Sequence, residues 1–225
     1  MTYSLKNIVP WGRTFDEYQA MFALTDDDLT KAILGCADGP ASFNAELTAR
    51  NGRIVSTDPL YAYSKADIQQ RIDAIYDEVV EQARQNQDQF VWQHIPSVES
   101  LGELRMMAMS RFLADYEAGK KNGRYQTASL PHLPFADNQF DLALCSHFLF
   151  LYSEQLSEEF HDQAVRELLR VAHEVRIFPL LDLTASPSKH LNPIMQKLKK
   201  EGHQVDILTV SYEFQRGGNQ MCRIS

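Results

Sequence analysis

Apolar residues along the chain fall into two kinds of segment, and the two kinds alternate. Short, mostly apolar runs are typical of buried strands, and they lie at 32–35, 53–58, 124–128, 140–146, 175–182, 204–214 and 220–224. Segments with apolar residues at helical spacing lie at 15–24, 41–49, 64–83, 100–119, 157–173 and 188–202. This alternation predicts a mostly parallel sheet with helices on its faces. The last two strand segments are joined by Q-R-G-G-N, 215–219, which predicts a hairpin-like reversal and an antiparallel last strand.

The segment 59–119 is longer than a connection between two parallel strands requires. It contains two helices whose starts are marked by Ser64 with Asp67 and by Ser100 with Glu103, joined by an irregular link that carries Trp92. Both pairs have the spacing of a capping box. Because α/β proteins bind ligands beyond the carboxyl ends of their strands, we expect 90–119 to form a lid over the ligand. An insertion that only packs against the sheet is the alternative.

The first strand runs into a loop of small residues, in I-L-G-C-A-D-G-P-A-S-F, 33–43. Small residues at alternate positions suit a tight turn that presents backbone N–H groups to a ligand. The next strand ends in Asp58, at the usual place of a carboxylate that accepts hydrogen bonds from ribose hydroxyls. Strand, loop, helix, strand and acid together predict a nucleotide-binding half. The alternative is that the small residues only mark close packing of helix on strand.

Composition and charge narrow the classes of function. The chain has 225 residues, which suits a single domain over 1–225, and a net charge of −8. It has no long run of Lys or Arg, so we expect no nucleic-acid partner. No apolar run is long enough for a membrane span, and the start of the chain lacks the pattern of a secretory signal, so we expect no membrane partner and a cytoplasmic protein. Cys36, Cys145 and Cys222 have no metal-binding spacing.

With these elements in place, the chain resembles the class I S-adenosylmethionine-dependent methyltransferases, in particular a compact bacterial type. Three segments carry the resemblance: I-L-G-C-A-D-G-P-A-S-F-N-A-E at 33–46, Asp58 after I-V-S-T, and L-P-F-A-D-N-Q-F-D-L-A-L-C-S-H at 133–147. The resemblance covers nearly the whole chain. It implies a three-layer α/β sandwich with a Rossmann-like, seven-stranded, mostly parallel sheet, an antiparallel last strand and a helical insertion after the second strand, 59–119. It also implies S-adenosyl-L-methionine as cofactor.

The resemblance implies a set of cofactor-binding residues: Arg13, Gly35, Cys36, Ala37, Asp38, Gly39, Asp58, Pro59, Ser129, Leu130 and Ser146. The chain departs from the family pattern at three places. Gly35 stands where an acid is usual, Ala37 and Ala41 stand where glycines are usual, and Ala128 and Ser129 replace the acid after the third strand. Asp38 could pair with the cofactor's cationic groups and stand in for the acid missing at position 35. The alternative is that its side chain shapes the turn.

Methyl transfer needs alignment, desolvation and sometimes a base. His147 is the candidate general base because an imidazole titrates in the useful range, with a hydrogen-bonded packing residue as the alternative. Tyr152, Asp182 and Tyr212 are weaker candidates. Arg13 could reach a ligand carboxylate or could pair on the surface with Asp16 or Glu17.

The predicted function is therefore an S-adenosylmethionine-dependent methyltransferase acting on a small molecule or a protein side chain. The alternative is a non-catalytic protein of the same fold that binds a nucleoside-type ligand or a partner. A dehydrogenase is disfavoured by Ala41 and by the terminal hairpin, and a serine hydrolase by the lack of G-x-S-x-G. The sequence does not define the oligomeric state.

Overall fold

The computed structural model describes residues 11–225, and these residues form a seven-stranded sheet with helices on both faces. The strands are β1 (Ala32–Cys36), β2 (Arg53–Thr57), β3 (Tyr125–Gln126), β4 (Phe140–Ser146), β5 (Ala172–Phe178), β6 (Val205–Thr209) and β7 (Gln220–Ile224). The α-helices are α1 (Phe15–Phe22), α2 (Phe43–Ala49), α3 (Lys65–Gln85), α4 (Val98–Lys121), α5 (Glu158–Val171) and α6 (Leu191–Lys200). The predicted absence of a secretory signal concerns residues 1–10, which lie outside the described residues.

The strands are arranged in the order β3-β2-β1-β4-β5-β7-β6. All neighbouring pairs are parallel except β5 with β7 and β6 with β7, so β7 is the antiparallel strand. The chain runs from β1 outward to β3 and then returns to β4, beside β1. In such sheets the loops that follow the two central strands diverge and leave a crevice at their carboxyl ends. The expected fold class is confirmed.

Side chains on successive positions of the central strands enter two different cores. Ile33 of β1 packs with α1 and α2, whereas Leu34, the next residue, packs with α5 and α6. Leu142 and Ala143 of β4 divide in the same way. Because side chains alternate across a strand, apolar residues at every position are what a strand buried on both faces requires. The continuous apolar runs of the sequence therefore correspond to strands covered on both sides.

The insertion after β2 consists of a short turn of helix at Pro59–Ala62 followed by α3 and α4. Ser64 and Asp67 form the predicted capping box of α3. α4 begins earlier than predicted, because Ser97 caps it by accepting from the Ser100 N–H. Apolar and aromatic residues of α3 and α4 pack against the edge strand β3.

Other element boundaries also differ from the sequence prediction. α2 begins at Phe43 because Pro40 and its neighbours still belong to the loop. The helix predicted to end at residue 173 ends at Val171, since β5 begins at Ala172, and β5 stops at Phe178 because Pro179 cannot donate to a strand ladder. β6 ends at Thr209, so 210–219 is a long connection instead of a tight reversal.

That connection lies against the insertion. The Val91 N–H donates to the Phe214 carbonyl at 2.8 Å, and the Arg216 N–H donates to the Gln89 carbonyl at 2.8 Å. The Phe90 and Phe214 rings stack with centroids 4.7 Å apart. Within residues 11–225, no helix has both the length and the apolar composition needed to cross a bilayer.

Candidate functional site

A cavity of about 460 Å³ opens at the carboxyl ends of β1, β2 and β4. The loops that follow these strands form one side of it, and α3, α4 and the 210–219 connection form the opposite side. Ten of the residues predicted from the sequence line this cavity: Arg13, Ala37, Asp38, Gly39, Asp58, Pro59, Ser129, Leu130, Ser146 and His147. Residues far apart in the sequence therefore meet where an open α/β sheet places its ligand.

Two predicted contact residues, Gly35 and Cys36, do not line the cavity. Both belong to β1, below the loop, and Cys36 is buried with its Sγ 3.3 Å from the Thr57 Oγ1. Gly35 has an indirect role, because a Cβ added to it would collide with the carboxylate of Asp38. The glycine makes room for the Asp38 side chain, which folds back over the strand.

Asp38 therefore occupies the space that a side chain at position 35 would enter. Its Oδ1 accepts from the Tyr18 hydroxyl at 2.8 Å and its Oδ2 from the Ser56 hydroxyl at 2.5 Å. These partners are not the following backbone N–H groups that a turn-shaping side chain would contact. Burial raises the pKa of Asp38 to about 6, although both hydroxyls oppose the shift. An acid is thus present beside the first strand, at a different sequence position from the usual one.

The loop after β1 bends through two left-handed residues, Ala37 at φ 57° and Gly39 at φ 53°. The Ala37 N–H donates to the Thr57 carbonyl at 2.9 Å and the Gly39 N–H to Asp58 Oδ2 at 2.9 Å. These two donors are already used within the protein. The expectation that the loop offers its N–H groups to a ligand is therefore corrected for both residues.

Asp58 connects the loops that follow β1 and β2. Besides the Gly39 N–H, its carboxylate accepts from the Leu60 N–H at 2.7 Å and so caps the helical turn that begins at Pro59. Burial raises the pKa of Asp58, while the two backbone donors oppose this shift. A carboxylate has about four acceptor positions, so hydroxyl groups of a ligand can still be accepted.

Two arginines line the cavity, and only one has an acidic partner. Arg105 is buried and forms a bidentate ion pair with Glu17, with both N···O distances 2.6 Å. Tyr212 donates its hydroxyl to the same carboxylate at 2.9 Å. Burial alone would raise the pKa of Glu17, but Arg105 outweighs it and lowers this pKa to about 2. Glu17 is therefore committed to Arg105.

Arg13 makes no ion pair with any of the described residues. Its Nη1 donates to the Trp11 carbonyl at 2.6 Å, and its buried Nε has no hydrogen-bond partner within the described chain. Burial, with the nearby Arg105 as a further cause, lowers the pKa of Arg13. The surface pairing of Arg13 with Asp16 or Glu17 is not observed. The cavity therefore contains a guanidinium that can bind an anionic group.

His147 follows β4 with an unusual backbone conformation, φ 52°. This conformation is held by its N–H, which donates to the Phe178 carbonyl at 2.7 Å. The His147 Nδ1 lies 2.9 Å from the Ser146 Oγ. Burial, with Arg13 and Arg105 as further causes, lowers the pKa of His147 well below its ordinary value. The ring is therefore neutral near pH 7.

In one tautomer of His147 the proton is on Nδ1 and is donated to the Ser146 Oγ. In that tautomer the Nε2 atom carries the lone pair. No described residue makes a hydrogen bond to Nε2, so the lone pair is available to a ligand.

The sequence analysis missed several cavity residues. Tyr18 and Arg105 lie on ordinary helical stripes, and Val79, Ala83, Leu101 and Phe214 were assigned to packing or to a strand. No local pattern marks any of them. Of the weaker candidates, Tyr152 and Tyr212 line the cavity, whereas the Asp182 carboxylate is used by the turn at 184–186, where it accepts from Thr184 and Ser186. Within residues 11–225 no group of acidic, His and Cys side chains is suited to hold a metal ion.

The chain is similar to a known family model over part of its length and to one relative over nearly all of it. A family model described as a methyltransferase domain matches residues 105–174. An uncharacterized protein of Methanocaldococcus jannaschii is 33% identical over 219 residues, which are 97% of this chain and 96% of that protein.

Two solved structures are similar over most of the chain. The magnesium protoporphyrin IX methyltransferase of Synechocystis PCC 6803, with bound SAM, is 12% identical with a TM-score of 0.49, over 93% of this chain and 76% of that one. A putative S-adenosyl-L-methionine-dependent methyltransferase of Methanococcus maripaludis is 13% identical with a TM-score of 0.47, over 94% and 82%.

Proposed function

Because the chain belongs to the class I S-adenosylmethionine-dependent methyltransferase family, we propose that it binds S-adenosylmethionine in the cavity and methylates an acceptor there. The observation that carries the proposal is the arrangement of charge: the carboxylates of Asp38 and Asp58 lie by the loops after β1 and β2, and an unpaired Arg13 guanidinium faces the same space. This arrangement complements a ligand with ribose hydroxyls, cationic groups and one carboxylate.

Each group has a role that its chemistry allows. Asp58 would accept from the ribose hydroxyls, and Arg13 would pair with the methionine carboxylate, which would give its buried Nε a partner. Asp38 would attract the amino group. The loop residues Ser129 and Leu130 would border the adenine, without the acid that is usual after β3.

The bound cofactor supplies a methyl group activated by the sulfonium. The protein's own part is to align the acceptor, exclude water and accept a proton. His147 is placed for the last role, because its ring is neutral and its Nε2 has no partner among the described residues. A hydrogen bond from Nδ1 to Ser146 would orient the ring and leave the lone pair on Nε2.

Titration calorimetry with S-adenosylhomocysteine, S-adenosylmethionine and NAD tests the proposal. We expect the first two ligands to bind and NAD to fail. Replacing Asp58 with Ala should weaken S-adenosylhomocysteine binding by about 1.5–3 kcal/mol, the range for hydrogen bonds to a charged group.

Asp73→Ala on the exposed face of α3 is the matched control and should leave binding unchanged. Equal affinity of the wild-type protein and the Asp58 variant, or tighter binding of NAD than of S-adenosylhomocysteine, would contradict the proposal.

A further inference from the structure

The side of the cavity that faces the β1 and β2 loops has a large apolar part. Val79 and Ala83 of α3, Leu101 of α4 and Phe214 of the 210–219 connection line it, and Phe178 at the end of β5 continues the same surface. Burying a polar group without a hydrogen-bond partner is unfavourable by several kcal/mol in such surroundings. The part of an acceptor that rests here must therefore be apolar.

The ionisable groups of the cavity are paired within the protein or, in the proposed function, with the cofactor, which takes Asp38 and Asp58. Arg105 and Tyr212 are both committed to Glu17. Arg13 is taken by the cofactor carboxylate in the proposed function, on which this inference rests. A cationic acceptor would lie near two guanidinium groups and the sulfonium, in a site that excludes water. These charges favour an acceptor that is neutral before reaction.

His147 borders the space that remains. Its Nε2 carries a lone pair when Nδ1 donates to Ser146, and no described residue donates to it. Such a lone pair is satisfied by a single hydrogen-bond donor. A hydroxyl supplies that donor and, once deprotonated, is a nucleophile.

The apolar part formed by Val79, Ala83, Leu101 and Phe214 is the roof of the cavity, and it limits the size of the acceptor. The hydrogen bonds of Val91 with Phe214 and of Arg216 with Gln89, together with the stacked Phe90 and Phe214 rings, join the insertion to the 210–219 connection. The exposed residue Tyr63, with 59% of its surface accessible, lies at the edge of the cavity near Asp58. At about 460 Å³, the cavity is in the lower half of the range for ligand sites, roughly 300–1,000 Å³. Cofactor and acceptor share this volume, which suits a small molecule and disfavours a side chain on a folded protein.

We propose that the methyl acceptor is a small, uncharged molecule, apolar except for an ionisable hydroxyl of the phenol or enol class, held between the apolar roof and His147. The O–CH₃ bond of the product forms as the S–CH₃ bond of the sulfonium breaks. The electron pair of the broken bond stays on sulfur, and the hydroxyl proton passes to the His147 Nε2 and then to solvent. The products are the methyl ether and S-adenosylhomocysteine.

Binding of matched naphthalene probes to the protein saturated with S-adenosylhomocysteine tests this class. The probes are 2-naphthol, 2-naphthoate, 2-(aminomethyl)naphthalene and 2-methoxynaphthalene, and binding is followed by fluorescence. We expect 2-naphthol to bind about tenfold more tightly than each of the others, the effect of one additional hydrogen bond. In His147→Leu the preference of naphthol over the methoxy compound should disappear.

Variants of the roof locate the probe. Ala83→Leu narrows the cavity and should weaken 2-naphthol binding at least tenfold, whereas Ala74→Leu, on the exposed face of the same helix, should not. Phe214→Ala is a second variant that removes a roof side chain without adding bulk, and it should also weaken 2-naphthol binding. Calorimetry with S-adenosylhomocysteine shows whether the cofactor-binding part of the cavity is still intact in each variant.

The outcomes separate this inference from the proposed function. If S-adenosylhomocysteine fails to bind the wild-type protein, the proposed function fails. If it binds but 2-naphthoate or the amine binds more tightly than 2-naphthol, the acceptor class is wrong while the methyltransferase assignment stands. The same conclusion follows if no naphthalene probe binds to the complex.

Discussion

At the scale of a single residue, Asp38 is ionised in a place that disfavours its charge. Burial raises its pKa from 3.8 to about 6, because the hydrogen bonds from Tyr18 and Ser56 do not fully replace water. The native state therefore binds the proton more tightly than the unfolded state does. The stabilisation that comes with the proton is complete below about pH 3.8 and is lost as the pH rises through about 6.

Replacing Asp38 with Asn removes this titration. Relative to the wild type, the variant's free energy of unfolding should rise by about 2.4 kcal/mol between pH 4 and pH 7, since each pKa unit corresponds to ~1.36 kcal/mol and most of the titration from 3.8 to about 6 falls in this interval. Urea unfolding at the two pH values measures the change. The exposed variant Asp73→Asn serves as the control. A difference between Asp38→Asn and wild type that stays constant with pH would show that the Asp38 pKa is not raised.

At the scale of elements, the two parts of the expected lid differ in how they are held. α4 is anchored: Leu101, Arg105, Met109 and Phe112 are all buried, and Arg105 pairs with α1. The link that precedes α4 is mostly exposed or half-buried. Its connections to 214–216 include the backbone bonds of Gln89 and Val91, the bonds from the Arg216 side chain to the Asp88 and Phe90 carbonyls, and the stacked Phe90 and Phe214 rings. The lid expected over 90–119 stays a prediction, and its less buried part is 90–97.

Hydrogen exchange distinguishes these parts. On adding S-adenosylhomocysteine, amides in 89–97 and 214–216 should exchange at least several-fold more slowly, because the roof must open for the ligand to enter and closes over it. Amides in the middle of α4, 105–116, are already protected and should not change. Slower exchange confined to α4, or unchanged exchange in the link, would show that the link does not close over the ligand as a lid.

At the scale of the whole molecule, one buried ion pair joins three distant parts of the chain. Arg105 of α4 and Glu17 of α1 meet, and Tyr212 of the β6–β7 connection donates to the same carboxylate. The pair is buried, with 1% of the Arg105 side chain and 8% of the Glu17 side chain exposed. A broken buried pair leaves a charge without water or a partner, so its loss should affect the folding of the entire domain.

Arg105→Met should therefore lower the free energy of unfolding by about 3–5 kcal/mol. The double variant with Glu17→Gln should recover much of that loss, because it leaves no unpaired carboxylate. Chemical unfolding of the wild type, both single variants and the double variant gives the coupling between the two positions. Additive losses would show that the ion pair does not couple α1 to α4.

The sequence by itself determined the alternation of elements, the antiparallel last strand, the insertion and ten of the residues that line the cavity. These features follow from local rules. Apolar periodicity selects strand or helix, capping residues mark helix starts, and loops after neighbouring strands come together at one edge of a parallel sheet. Asp58 could be assigned in this way because its position at the end of a strand is enough to place it.

Only the tertiary structure decided which charges are paired and what closes the cavity. The sequence suggested that Glu17 could pair with the nearby Arg13. In the fold, Glu17 pairs with Arg105 and Arg13 faces the site. The fold also places the 210–219 connection, which contains the predicted hairpin at 215–219, against Gln89 and Val91. There it helps to close the cavity. Such pairings depend on where distant segments cross, and the energies of competing local and distant partners are similar. Local pattern therefore does not choose between them, whereas packing of the complete domain does.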